Sequence, residues 1–192
     1  MSLKKEIIMD VATTLFNKEG YQSVGVDKIA AEAGVSKLTL YRHFPSKERL
    51  INEVLCKRKE DFLQNLSLVI QHHKTTKDQL FSFFYFYHNW FKHEDFYGCM
   101  FTHSLSEFGR KSTAVAEINQ EIKRHLMQIL MTILSPLVKG ERAHRIAYIF
   151  IILIDGSITA ELTWRDQNEY SPALVAWSTA KTILESEGII IQ

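Results

Sequence analysis

A chain of 192 residues with 46% hydrophobic content can bury a full core and is long for one compact domain, so a small domain plus a larger one is expected. A net charge of only +1 argues against non-specific coating of nucleic acid, yet residues 1–60 hold 11 Lys and Arg against 8 Asp and Glu, and the remainder holds 12 against 14. Cys56 and Cys99 stand far apart with no metal-type spacing, Lys4 and Lys5 precede no signal-type apolar run, and the longest apolar run, nine residues from Ile146 to Ile154, is short for a membrane span; free thiols, a cytoplasmic location and no membrane partner are expected.

In chain order, Ile7, Ile8, Val11, Ala12, Leu15 and Phe16 recur at helical spacing and predict a first helix ending at Gly20. Residues 25–44, GVDKIAAEAGVSKLTLYRHF, read as two short helices joined by a tight turn. Ala30, Ala31 and Ala33 are expected on one face, where a second helix crosses closely. Gly25 is an acceptable N-cap, Gly34 supplies a positive φ, Val35 packs inward and Ser36 caps the next helix. That second helix, Lys37 to Phe44, presents Lys37, Thr39, Tyr41, Arg42 and His43, and no acidic residue occurs between Glu32 and Glu48. Donors and cations without carboxylates suit a phosphate-walled groove. Its spacing from Phe44 turns Leu40 inward, whereas Leu38 is placed to meet a thymine methyl. The rival reading is an ordinary three-helix unit in which Tyr41 and His43 are core or capping groups.

This motif, with the flanking LFNKEGYQSVGV, the pattern IA..AGVS..TLY.HF.SK and the following PSKERL, resembles the N-terminal domain of TetR-type transcriptional regulators over residues 7–55. The resemblance implies an all-α protein of about nine helices, with a three-helix helix-turn-helix DNA-binding domain over residues 1–48 and an effector-binding and dimerisation domain over residues 49–192. It implies a homodimer on a palindromic double-stranded DNA operator, with Ser36, Lys37, Leu38, Thr39, Tyr41, Arg42, His43 and Lys47 as the DNA-facing set. One departure is that Val24 and Gly25 stand where a Thr or Ser is common, which removes a hydroxyl contact to phosphate.

Pro45 and Ser46 open a fourth helix whose stripe runs Leu50, Ile51, Val54, Leu55, Phe62, Leu66, Val69 and Ile70 with no breaking residue, so a continuous rod leaves the motif. Polar breaks at 72–78, 93–98, 109–113, 140 and 167–171 divide the rest into five further helices. Between Phe81 and Phe108 lie 12 of the chain's 22 aromatic residues, and the eight from Phe81 to Phe91 point in nearly every direction around one helix, which must therefore be surrounded. Either they form an ordinary aromatic core or some line a cavity for an apolar or aromatic ligand, with Tyr85, Tyr87, His88 or Trp90 as polar handles.

The resemblance favours the cavity and implies Phe62, Leu66, Phe84, Tyr87, His88, Trp90, Cys99, His103, Glu107, Ile122 and His125 as candidate effector residues. Cys99, His103 and Glu107, like Glu117, Glu121 and His125, repeat at i, i+4, i+8, a spacing able to ligate a metal, but the pairings are long for a metal site, and neither a metal nor a cofactor is expected. Toward the end of the chain, Ile146 to Leu162 is apolar on nearly all sides, and Ser171 and Pro172 open a last helix with the stripe Ala173, Ala176, Trp177, Ala180 and Leu184. With Ile151, Ile158 and Leu162 these resemble the family's four-helix dimer interface, intramolecular packing being the plainer alternative.

The reading is a regulator, expected to be a repressor released by a small, largely apolar effector. An effector-free DNA-binding dimer controlled by a protein partner is the alternative. An enzyme finds little support, because the chain has no Gly-rich phosphate loop, nucleophile elbow or zinc-hydrolase motif.

Overall fold

The computed structural model describes residues 2–109, 112–165, 167 and 169–191. These form nine α-helices and no strand: α1 Leu3–Glu19, α2 Val26–Glu32, α3 Lys37–His43, α4 Lys47–Gln71, α5 Thr76–Phe91, α6 Met100–Phe108, α7 Thr113–Leu134, α8 Gly140–Trp164 and α9 Pro172–Ser186. The all-α architecture and helix-turn-helix order expected from sequence are therefore present. Of the expected breaks, positions 110, 111 and 168 lie outside the described residues.

Packing groups the chain into two compact units, each drawing on two stretches of sequence. Met1–Asp61 joins Cys99–Glu121, and Phe62–Gly98 joins Ile122–Gln192. The core of the first unit holds Ile8, Ala12, Leu15 and Phe16 of α1, Ile29 and Ala30 of α2, Leu40 of α3 with Phe44 just after it, and Leu50, Val54 and Leu55 of α4. These are the periodic apolar positions, so the pattern that predicts each helix also dictates the face it buries.

The turn between α2 and α3 is set by local chemistry. Gly34 adopts φ +63°, which a side chain would strain, and the Val35 N–H reaches back to the Ala30 carbonyl at 2.9 Å, closing the end of α2. Ser36 Oγ accepts from the Thr39 N–H at 3.1 Å, and Ser46 Oγ accepts from the Arg49 N–H at 3.1 Å, so both expected serine caps form. The alanine cluster is narrower than its composition suggests: Ala30 is buried, Ala33 half-buried and Ala31 exposed. Three alanines within four residues span too wide an arc of a helix to share one face.

In the second unit α5 packs on α8 and α9. Phe83, Phe84, Tyr87, Leu126, Leu130, Ala147, Phe150, Ile154, Ala173, Ala180 and Leu184 are buried there. Among the described residues α8 is the one helix long and apolar enough to cross a membrane by length and composition. Burial of Ala147, Phe150, Ile154 and Ile158 within the chain gives much of that apolar length a partner. Ser171 departs from its expected role: it sits at the N-cap position of α9 with no side-chain cap bond, because its hydroxyl lies 2.7 Å from His88 Nδ1 on α5.

Candidate nucleic-acid interface

The outer face of α3 is built by the alternation that buries Leu40 and Phe44. Opposite them, Leu38 is 63% exposed, Tyr41 and Arg42 are exposed, and Thr39 and His43 are half-buried. Ser36 Oγ also lies 2.9 Å from Thr39 Oγ1, so the first turn of α3 is pinned by a hydroxyl pair. Lys37 Nζ lies 2.8 Å from an Asp27 carboxylate oxygen, and this hydrogen-bonded partner raises the pKa of the ammonium. Lys47, the first residue of α4, donates from Nζ to the Gln22 carbonyl at 3.3 Å. Elsewhere Lys28 is tied to Glu19, and Lys5 and Arg49 share Glu53, whose carboxyl those two cations hold low against the opposing effect of burial.

All eight sequence-selected residues from Ser36 to Lys47 belong to this unit. Sequence spacing gives no sign of two neighbours, Asp27 and Gln22, which lie ten and 25 residues before the lysines they contact. The folding of α1, α2 and α3 on one another brings them there.

The same unit places Cys99, His103 and Glu107 on or beside α6. Cys99 is its N-cap residue, and His103 is half-buried. Glu107 is committed: its Oε1 accepts from the Tyr21 N–H at 2.8 Å and its Oε2 from the Gln22 N–H at 2.6 Å. Tyr21 is buried beneath, its ring 5.2 Å from Phe16 and 5.7 Å from Phe108, with its hydroxyl donating to the Met100 carbonyl at 2.9 Å. Burial raises the pKa of that phenol, so it stays a donor. Among the described residues no group of three or more His, Cys, Asp or Glu is placed to hold a metal.

In the second unit, Phe62 meets Phe86, Tyr87 and Trp90 edge to face, at 5.2, 5.7 and 6.1 Å between ring centres. Leu66 and Ile122 are buried. Phe84 joins the same cluster through Phe83, 5.4 Å from Phe84 and 5.6 Å from Tyr87, and extends it to Phe150 and Trp177 at 5.7 Å each. His88 turns to Ser171, and burial followed by nearby Lys92 lowers its pKa. His125 is exposed and borders a cleft of about 330 Å³ between α4, α5 and α7, lined also by Leu63, Ser67, Gln128 and Ile129.

Along α8 and α9, the selected Ile151, Ile158, Ala173, Ala176, Trp177, Ala180 and Leu184 are all buried within the single chain, and Leu162 is exposed. Burial inside one chain and burial between two copies leave the same helical spacing, so periodicity alone marks the stripe without naming its partner. The exposed apolar residues are others: Ile152, Trp164, Tyr170 and Val175 border a groove of about 710 Å³, lined also by Gly156, Ala160 and, from the selected stripe, Ala176.

The family model of bacterial regulatory proteins of the tetR family matches residues 8–54. Nucleoid occlusion factor SlmA of Sodalis glossinidius (strain morsitans) is 34% identical over 77 residues, which span 40% of this chain and 39% of that relative. A TetR-family transcriptional regulator from Streptomyces coelicolor has the same fold with a TM-score of 0.81 at 22% identity, over 93% of this chain and 90% of its own. FadR from Bacillus subtilis, solved in complex with stearoyl-CoA, matches with a TM-score of 0.69 at 20% identity, over 92% and 95%. The helix-turn-helix segment, residues 8–54, thus matches the tetR family of bacterial regulatory proteins, and the chain as a whole has the fold of solved TetR-family regulators.

Proposed function

We propose that the chain is a DNA-binding transcriptional repressor that acts as a homodimer on an inverted-repeat operator and leaves it when a small, largely apolar effector binds the helices after α4. The observation that carries the DNA-binding reading is the outer face of α3, where Lys37, Leu38, Tyr41 and Arg42 stand exposed with no carboxylate on the helix itself. In this reading Lys37, Leu38, Thr39 and His43 face base edges, and Tyr41 and Lys47 hold phosphates. The second copy is assigned to the α8–α9 groove, where Ile152 and Val175 are each more than half exposed. Two recognition helices would then stand about 34–36 Å apart, one turn of DNA. Support for an apolar effector is the aromatic wealth of α5 and the acyl-CoA that FadR holds in its solved structure.

Response to an effector requires only a difference in its affinity for two conformations. About a hundredfold preference corresponds to roughly 2.7 kcal/mol, enough to empty an operator held near half-saturation. Selection of duplexes from random sequence, followed by reporter assays with and without the gene, tests the reading. Recovery of no enriched sequence overturns DNA recognition, and activation of the selected site overturns repression.

A second reading, control by a protein partner, is favoured by one observation. Phe62, Tyr87 and Trp90 pack against one another at ring-contact distances, filling space that an effector at those residues would need. Failure of every apolar compound screened to change operator affinity would select it.

A further inference from the structure

On the reading that this domain grips a duplex, we infer that Glu107, on α6, is a positioning residue for the phosphate contact of Lys47, acting through the backbone of Gln22. The chain of contacts is continuous. Glu107 Oε2 accepts from the Gln22 N–H at 2.6 Å, Gln22 Nε2 donates to the Glu107 carbonyl at 2.7 Å, and the Gln22 carbonyl accepts from Lys47 Nζ at 3.3 Å. The second carboxylate oxygen takes the Tyr21 N–H at 2.8 Å, so the turn after α1 is held by both of its successive amides. Tyr21 Oη ties the same turn to Met100, at the other end of α6. Gly20 leaves room for the arrangement: it has φ +85°, and a Cβ there would stand 2.9 Å from Glu107 Oε1.

The chemistry of the three side chains gives the arrangement its use. A carboxylate accepting two backbone N–H groups makes charge-assisted bonds, stronger than neutral ones, and so fixes the two peptide units that lead into Gln22, whose own carbonyl is one φ, ψ pair further on. An ammonium has three donors; one on the Gln22 carbonyl leaves two for a phosphate oxygen. Gripping a phosphate costs a free lysine its rotamer freedom, and a tethered ammonium has lost part of that freedom beforehand. Glu107→Gln removes the charge and offers an NH2 where an N–H must be accepted, so the Gln22 carbonyl loses its fixed aim while the volume stays the same.

The full chain is titrated with sonicated genomic DNA over a range of salt, as parent, Lys47→Ala, Glu107→Gln and the double variant, with backbone amide exchange of Tyr21 and Gln22 followed by NMR. Each lost phosphate contact flattens the slope of log affinity against log salt by about 0.9. The expected result is that Lys47→Ala and Glu107→Gln flatten the slope alike, that the double variant is no flatter than Lys47→Ala alone, and that both amides exchange faster in Glu107→Gln. An unchanged slope in Glu107→Gln, or additive losses in the double variant, overturns the inference and leaves the DNA-binding reading standing. A parent chain that binds no DNA overturns that reading and this inference with it. Glu107→Ala is measured beside Glu107→Gln; if both lose the folded circular-dichroism spectrum, the role is structural and the inference falls.

Discussion

Lys37 Nζ and an Asp27 carboxylate oxygen lie 2.8 Å apart, so the leading cation of α3 is paired with a carboxylate of its own chain. Both side chains are largely exposed, and such a pair contributes little to folding. Its consequence is for binding. A phosphate or base must compete with the carboxylate for Lys37, and the carboxylate then faces the duplex. Asp27→Asn is expected to raise affinity for random DNA, and for an operator by a smaller factor, so that the ratio between the two falls. Titration of both duplexes at one salt concentration checks this; a random-DNA affinity that stays the same or drops contradicts it.

Leu38 is an apolar side chain on a polar face, 63% exposed. Leu38→Ala is expected to leave the melting temperature unchanged while weakening sites that carry thymine at the contacted step. Replacing that thymine by uracil should cost the parent about 0.8 kcal/mol, the value of one buried methyl, and the variant nothing. Equal sensitivity of parent and variant to the methyl would place Leu38 off the base edges.

Two substitutions separate the dimer surface from the core. Val175 is 51% exposed beside the α8–α9 groove, and Ala180 is 0% exposed inside the chain. Val175→Arg should give folded monomers by sedimentation that no longer hold an inverted repeat. Ala180→Arg should fail to fold, since it puts a charge and a long chain where one methyl fits. A folded, dimeric Val175→Arg protein would move the interface off this groove.

His88 is expected to make stability depend on pH. Burial, then Lys92, lowers its pKa below the ordinary 6.5, so the unfolded chain binds the proton more readily than the folded one. Stability therefore falls as pH drops through 6.5 toward the lower folded value. Melting curves across that window should show a smaller acid loss for His88→Gln than for the parent; an equal or larger loss in the variant would reverse the sign.

The sequence by itself determined the helices and their caps. Apolar spacing of three to four residues, Gly34 at a positive φ, and Ser36 and Ser46 at helix starts act within a few residues of one another, and so they can be read along the chain. It also determined which face of α3 stays outside, because burial of Leu40 and Phe44 leaves Leu38 and Tyr41 no other side. Tertiary structure alone decided the pairings. Glu107 meets Tyr21 and Gln22 across 86 and 85 residues, and Ser171 leaves its cap for His88 across 83. The stripe of α9 was legible as buried, while its partner was not: Trp177 meets Phe84 of its own chain, and Ile152 and Val175 are the residues left exposed beside the groove. The reason is physical: periodicity records how far a side chain is withdrawn from water, and a carboxylate or an indole is withdrawn equally well by any partner that fits.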